Sequence, residues 1–230
     1  MKHAILTLIA TGCVAFSALA QAPPTVSEVF DRYERAIGGR TAFDRFTTRV
    51  SIGTYEVVTR ALARPVEVYA KAPNKRVQIF GLGEAAQGFN GETGWQINVS
   101  ENGLTELTGP GLANAKREAI FNGEVTLKEL YARLTFDGTS KVGTRNAYVI
   151  QATSREGLAE KLFFDAQSGL LLRRVVGPTE TEFSDYRDVD GVRLPFSIVR
   201  KLPGTTLSWK FREIRHNVEI DDAKFAVPTP

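Results

Sequence analysis

From Arg49 onward the chain is a succession of short runs in which apolar and polar residues alternate, each closed by a turn residue. TTLSWKFREI is the clearest: Leu207, Trp209 and Phe211 alternate with Ser208, Lys210 and Arg212, the period of two that sends successive side chains to opposite faces of a strand. The same pattern runs through VSIGTYEVVT, RPVEVYAKAPN, KRVQIFGLG and GWQINVS in the first half, and through YVIQATS, LAEKLFFDA, LLLRRVV, TEFSDYRDV and VRLPFSIVR in the second. About ten or eleven strands are expected, in one large, antiparallel, strongly curved sheet. The pattern breaks at GPGLANAKREAIFNGEVTLKELY, residues 109–131, where Leu112, Ala115, Ala119 and Ile120 keep helical spacing and Val125, Leu127 and Leu130 mark a second short helix beyond Asn122-Gly123. Another helix precedes the strands: Thr25-Val26-Ser27-Glu28 reads as a capping box, Val26, Val29, Phe30, Tyr33 and Ile37 follow at helical spacing, and Gly38-Gly39 ends it.

One stretch, FSDYRDVDGVRLPFSIVR, decides between a metal site and a corner. A calcium loop with its Gly at the sixth position needs ligands at 186, 188 and 190 and an acid at 197, but 186 is Tyr and 197 is Ser. Asp190-Gly191 is instead the dipeptide that accepts two positive φ angles, and Val192, Leu194, Phe196 and Ile198 form an apolar face after it, so the stretch reads as a hairpin.

The chain opens with Lys2 and His3 before AILTLIATGCVAFSALA, ending in the small-x-small pattern of Ala18-Leu19-Ala20. This reads as a signal peptide, residues 1–20, cut before Gln21; its apolar run of ~17 residues is shorter than the ~20 of a membrane span. Cys13 follows Ala10-Thr11-Gly12, which is not a Leu-led lipoprotein box. Export leaves residues 21–230 as a single domain with no cysteine, which excludes disulfides, thiolate metal sites and Cys nucleophiles. The mature net charge is +2 with the basic residues dispersed among acids, which argues against a nucleic-acid partner.

Catalysis has no positive signal. His216 is the one histidine of the mature chain and reads as an exposed position near a strand end, and the paired acids fall at turns or on polar sides of the alternation. GLGEAAQG, residues 81–88, misses the dinucleotide spacing and reads as a flexible turn. No catalytic residue, metal ligand or cofactor is assigned. Helices that cover part of a curved sheet leave a concave pocket, the usual form of a site for an apolar ligand. Its candidate lining is Phe80, Phe89, Trp95, Phe196, Trp209 and Phe211 from the strands, with Leu112, Ile120, Phe121, Leu127 and Leu130 from the helical interruption. Periodicity alone does not separate such a pocket from a filled core.

Five short signatures occur in the order found in one family. FNGETGWQIN, with Phe89, Asn90, Gly91, Thr93 and Trp95, resembles the F-D-G-x-T-x-W hairpin of the LolA-like periplasmic lipoprotein carriers, and YAKAPNKRV is similar to their K-x-P-N-K-x-R turn. LFFDAQSGLLLRR, YRDVDGVRLPF and HNVEIDDAKFAVP resemble the family's later hairpins and C-terminal ending, so the likeness spans about residues 69–228. It implies a mainly β (α+β) fold, an unclosed antiparallel half-barrel with helices covering the concave face. It also implies non-covalent binding of lipid or lipoprotein acyl chains in the periplasm, between a membrane-bound donor and an acceptor. The family's lid-latching Arg falls on no single position, with Arg49, Arg60 and Arg64 all near the second strand region, and the mature N-terminus lacks the lipidated Cys of a membrane-anchored acceptor. Two functions stand against each other: a soluble hydrophobic-ligand carrier, and a regulatory or scaffold module that uses the same fold to bind a protein.

Overall fold

The computed structural model describes residues 22–83, 85–98, 103–155 and 157–228; the expected signal peptide lies outside them. Helix α1 (Val26–Ile37) starts at the foreseen capping box: the Thr25 hydroxyl accepts from the Glu28 amide at 3.2 Å, and the Thr25 amide donates to the Glu28 carboxylate at 2.7 Å. Gly38 ends it in the left-handed region at φ +114°. A short helix α2 (Arg40–Phe43) leads into the sheet.

Six strands form the first meander: β1 (Thr48–Val57), β2 (Leu62–Lys71), β3 (Lys75–Phe80), β4 (Ala85–Phe89), β5 (Gly94–Asn98) and β6 (Gly103–Glu106). After helix α3 (Gly109–Ala119) and a 3-10 turn, Leu127–Leu130, seven more follow: β7 (Tyr131–Val142), β8 (Arg145–Ser154), β9 (Ala159–Asp165), β10 (Leu171–Val176), β11 (Thr179–Val189), β12 (Val192–Leu202) and β13 (Thr205–His216). The 13 strands make one antiparallel sheet in the order β6-β5-β4-β3-β2-β1-β13-β12-β11-β10-β9-β8-β7. It is an unclosed half-barrel whose edges are β6 and β7. The strands beyond the expected ten or eleven are the ones with weak signals. β4 carries small residues in what reads as a flexible turn, β6 has four residues with a Gly at its start, and β7 is a polar edge strand interrupted at Gly138.

This order fixes the course of residues 107–130, which must run from one edge of the sheet to the other. Laid flat, thirteen strands would span ~58 Å, more than a partly helical connection of that length bridges comfortably, so the edges are brought towards each other by curvature. Register shifts at Ile52/Gly53, Leu171/Arg173, Tyr131/Arg133 and Phe136/Thr139 supply bending points.

One face of the sheet carries both longer helices. Val29, Phe30, Tyr33 and Ile37 of α1 are buried in one cluster with Ile150, Leu162, Phe164, Val192, Leu194 and Phe196, and Phe30 and Tyr33 meet the Phe164 ring edge-on at 5.2 and 5.3 Å. Helix α3 covers the other half, packing Leu112, Ala115 and Ala119 with Phe89 and Leu107. The opposite face of β1–β6 is covered by the C-terminal segment, where Ile220 and Phe225 pack on Val50, Val77 and Trp95.

The Asp190-Gly191 stretch is a two-residue hairpin: Val189 pairs with Val192, and Asp190 and Gly191 sit at φ +56° and +85°. Its three aspartates point to separate partners. Asp185 pairs with Arg187, Asp188 accepts from the Gly191 amide at 3.1 Å, and Asp190 meets His216. The hairpin also abuts the end of α1, because a Cβ on Gly38 would lie 2.5 Å from the Gly191 carbonyl oxygen. Gly191→Val is therefore expected to destabilise the fold by roughly 1–2 kcal/mol through left-handed strain at a β-branched residue. Urea titration measures this, and a variant as stable as the parent would refute the constraint.

Candidate functional site

The site is built on the helix-covered face, where β1, β2, β3, β12 and β13 lie side by side. Register places Tyr55 beside Trp209, Trp209 beside Ile198 and Val66 beside Phe80, all on one face. Val66, Val68 and Trp209 are buried, whereas Tyr55, Phe80, Ile198, Leu207 and Phe211 are only partly so. Tyr55 stacks obliquely between Phe80 at 4.6 Å and Trp209 at 5.1 Å, and burial raises its hydroxyl pKa against the lowering effect of Arg200. The result is an aromatic floor. The Trp209 indole N–H is buried and has no partner among the described residues, and the Arg200 guanidinium lies over the ring at 5.4 Å.

Helix α3 crosses above this face and is tied to both halves of the sheet by adjacent residues. Glu118 accepts from Arg200 of β12 at 2.8 Å and pairs with Arg76 of β3 at 3.3 Å. Arg117 pairs with Glu160 of β9, which Arg174 of β10 approaches at 3.3 Å; Tyr131 accepts from Arg117 and donates to Glu160 at 2.8 Å. Burial works to raise the Glu118 pKa, but the guanidiniums of Arg76 and Arg200 outweigh it and lower the value to about 2. For Tyr131, burial and Glu160 prevail over the two arginines and push the hydroxyl well above its ordinary range. Both ion-pair groups are tethers across the mouth.

A third tether holds the loop after α3. Arg49 of β1 pairs with Glu124 at 2.6 Å, reaches Asn122 at 3.4 Å, and lies 5.7 Å from the Phe121 ring centre. The Phe121 amide donates to the Pro73 carbonyl at 2.9 Å, fixing the loop to the β2–β3 turn. Arg49, one of the three arginines near the second strand region, thus reaches this loop with its guanidinium. Its Nε donates to Nε2 of His216 at 3.2 Å, while Nδ1 of His216 faces Asp190 at 3.1 Å. His216 does end its strand but is not exposed as expected: its side chain keeps 1% of its surface and stacks on Phe46 at 3.9 Å. Burial and Arg49 lower its pKa despite Asp190, consistent with a neutral ring that donates through Nδ1 and accepts at Nε2.

The candidate lining residues fall into separate places. Phe80, Trp209 and Phe211 form the floor; Leu112 of α3 packs down on Phe89; half-buried Ile120 ends that helix. Phe121, Leu127, Leu130 and Phe196 belong to the cluster beneath α1. Trp95 departs from the expected lining. Phe89 pairs with Gly94 across the β4–β5 hairpin, so Trp95 projects to the opposite face, over Gly88, where its N–H donates to the Phe225 carbonyl at 3.3 Å. Sequence reasoning missed Tyr55, Ile198 and the charged residues. A signal for them exists: Arg200 continues the even-numbered face of Leu194, Phe196 and Ile198, and Glu160 shares the face of Leu162.

The Glu118 tether has a titration consequence. Its folded pKa of about 2 lies below the ordinary 4.5, so the unfolded chain takes up the proton first as pH falls. The contribution to stability is complete above the ordinary value and is lost as pH drops through the folded one. In urea titrations from about pH 5 to about pH 2, the parent should lose on the order of 2 kcal/mol more than Glu118→Gln, and the two should converge in strong acid. Parallel pH profiles would mean that the carboxylate is not held by the arginines.

In sequence comparison no family profile and no curated protein matches the chain. Solved structures do. A DUF1329 family protein from Desulfovibrio piger superposes with TM-score 0.63 at 15% identity, over 89% of this chain and 98% of that one. A putative outer membrane lipoprotein-sorting protein domain from Vibrio parahaemolyticus gives 0.60 at 12% identity, over 86% and 93%. A LolA superfamily protein from Nitrosomonas europaea gives 0.58 at 13% identity, over 89% and 98%. At such identities the likeness is one of architecture, and the architecture of this chain is the LolA-like half-barrel with a helical crossing over its inner face.

Proposed function

We propose that this protein is an exported carrier of the periplasm that binds the acyl chain of a lipid or lipoprotein, without covalent chemistry, on the aromatic floor beneath α3. The observation that carries this reading is the floor itself. Tyr55, Phe80, Ile198, Leu207 and Phe211 keep part of their surface open beside a tethered helix, instead of closing into a filled core. The signal-like N-terminus and the LolA-like architecture support it, and among the described residues no helix is long and apolar enough to cross a membrane. A donor and an acceptor in the membranes would be its partners.

The energetics suit a carrier. Burying ~14 methylenes at ~0.8 kcal/mol each contributes ~11 kcal/mol, and an association cost of ~4 kcal/mol or more reduces this to micromolar-range affinity. A chain is then shielded from water and still released.

The two tryptophans test the assignment, since Trp209 lies in the floor and Trp95 on the opposite face. Adding palmitate, whose chain has the ~14 methylenes counted above, to residues 21–230 is expected to change the indole emission; the change should survive Trp95→Phe and vanish in Trp209→Phe. Native mass spectrometry of protein purified without detergent should show an acyl adduct. Absence of both signals at micromolar ligand would remove the carrier reading in favour of a module that binds a protein.

A further inference from the structure

The charges around the aromatic floor are lopsided. Register puts Arg76, Arg174 and Arg200 on the helix-covered face of the sheet around it. Glu160 of β9 is set against them on the same face. Helix α3 adds Arg117 and Glu118, and each glutamate is already shared by two arginines: Glu118 by Arg76 and Arg200, Glu160 by Arg117 and Arg174. Burial first, then Arg117 and Arg200, lower the Arg174 pKa against the raising effect of Glu160 and Tyr131.

These guanidiniums lie between a helix and a sheet, yet the side chains of Arg76, Arg174 and Arg200 keep 22%, 26% and 30% of their surface. Solvent, and so a small head group, reaches them. An independent sign of a missing acceptor lies directly beneath Arg200, where Trp209 is 8% exposed and its N–H is buried with no partner among the described residues.

The geometry points to an anionic amphiphile as the ligand: its carboxylate or phosphate head is received by Arg76 and Arg200, its chain lies along Tyr55, Phe80, Trp209 and Phe211, and Glu118 fills the head-group position when the ligand is absent. This rests on the carrier reading and names the class of cargo. Glu118 is a resident stand-in, a carboxylate held by the two guanidiniums in the way a ligand's would be. Exchanging one anion for another keeps the site's charge constant. A neutral lipid has no such exchange to offer: it must leave Glu118 in place or strand two partly buried cations. Displacement of Glu118 also removes one of the ties between α3 and the sheet, so head-group binding and loosening of the helix become a single event.

The test is calorimetric titration of residues 21–230 with laurate, dodecyl phosphate, dodecanol and inorganic phosphate. The two anionic amphiphiles are expected to bind at least about tenfold more tightly than dodecanol. Arg200→Gln should bring that ratio near one with dodecanol binding retained, and Arg76→Gln carries the same expectation if the first variant does not fold. Glu118→Gln, lacking the internal competitor, should tighten laurate several-fold and leave dodecanol unchanged. Equal affinity for laurate and dodecanol in the parent would overturn the head-group site while leaving the carrier reading intact. Inorganic phosphate binding as tightly as dodecyl phosphate would also overturn it, by showing a bare anion site. Failure of all three amphiphiles to bind would remove the carrier reading and this proposal with it.

Discussion

The antiparallel ladder between β1 and β13 joins two meanders that are otherwise separate, the first running from β1 out to one edge and the second returning from the other edge to β13. Every other ladder links strands that are neighbours in sequence. Here the partners are Arg49 with His216 at one end and Val57 with Leu207 at the other, more than 140 residues apart along the chain. The ladder also aligns the candidate site. Its first end brings Arg49 and His216 together under the loop after α3, and its middle sets Tyr55 against Trp209 in the floor. The bulge between them depends on Gly53, where a Cβ would lie 2.1 Å from the Lys210 carbonyl oxygen. Substitution at Gly53 would misalign both features together.

The sequence made the frame legible and left the interior charges obscure, for a physical reason. Periodicity reports which residues share a face, so the hairpin at Asp190-Gly191, the capped helix α1 and the apolar side of β12 could be read directly. It does not report which face is covered when both are. Trp95 illustrates this: β4 and β5 bury side chains on both sides, under α3 on one and under the C-terminal segment on the other, and only the pairing of Phe89 with Gly94 decides the matter. Arg200, Glu160 and Arg76 drew no notice as sequence, because charge is ordinarily exposed. Strand alternation puts Arg200 and Glu160 on the inward face, but which charges they meet there is set by long-range topology, which no local pattern encodes. His216 is a similar case, its burial arising from Phe46 and Asp190, which are remote in sequence.

Charge pairs beneath α3 are better understood as determinants of position than as sources of stability. Partly buried pairs return little net free energy once desolvation is counted, yet leaving one member alone is costly. A helix held chiefly by such pairs adopts one seat above the sheet and can leave it when a competing charge takes over a partner. The apolar contacts of α3, chiefly Leu112, Ala115 and Ala119, are few beside the cluster under α1. The two helices therefore divide the inner face into a firmly packed half and a half whose cover is electrostatically placed.

Because residues 107–130 are covalently continuous with both edge strands, the cover cannot swing aside like a flap hinged at one end. It behaves as a drawstring threaded through the rim of the half-barrel: slack is gained only if β6 and β7 move, and any widening of the rim pulls on the string. Sheet curvature and access to the inner face are then one mechanical coordinate, so a partner that grips either edge strand from outside would set how far the interior opens without touching it.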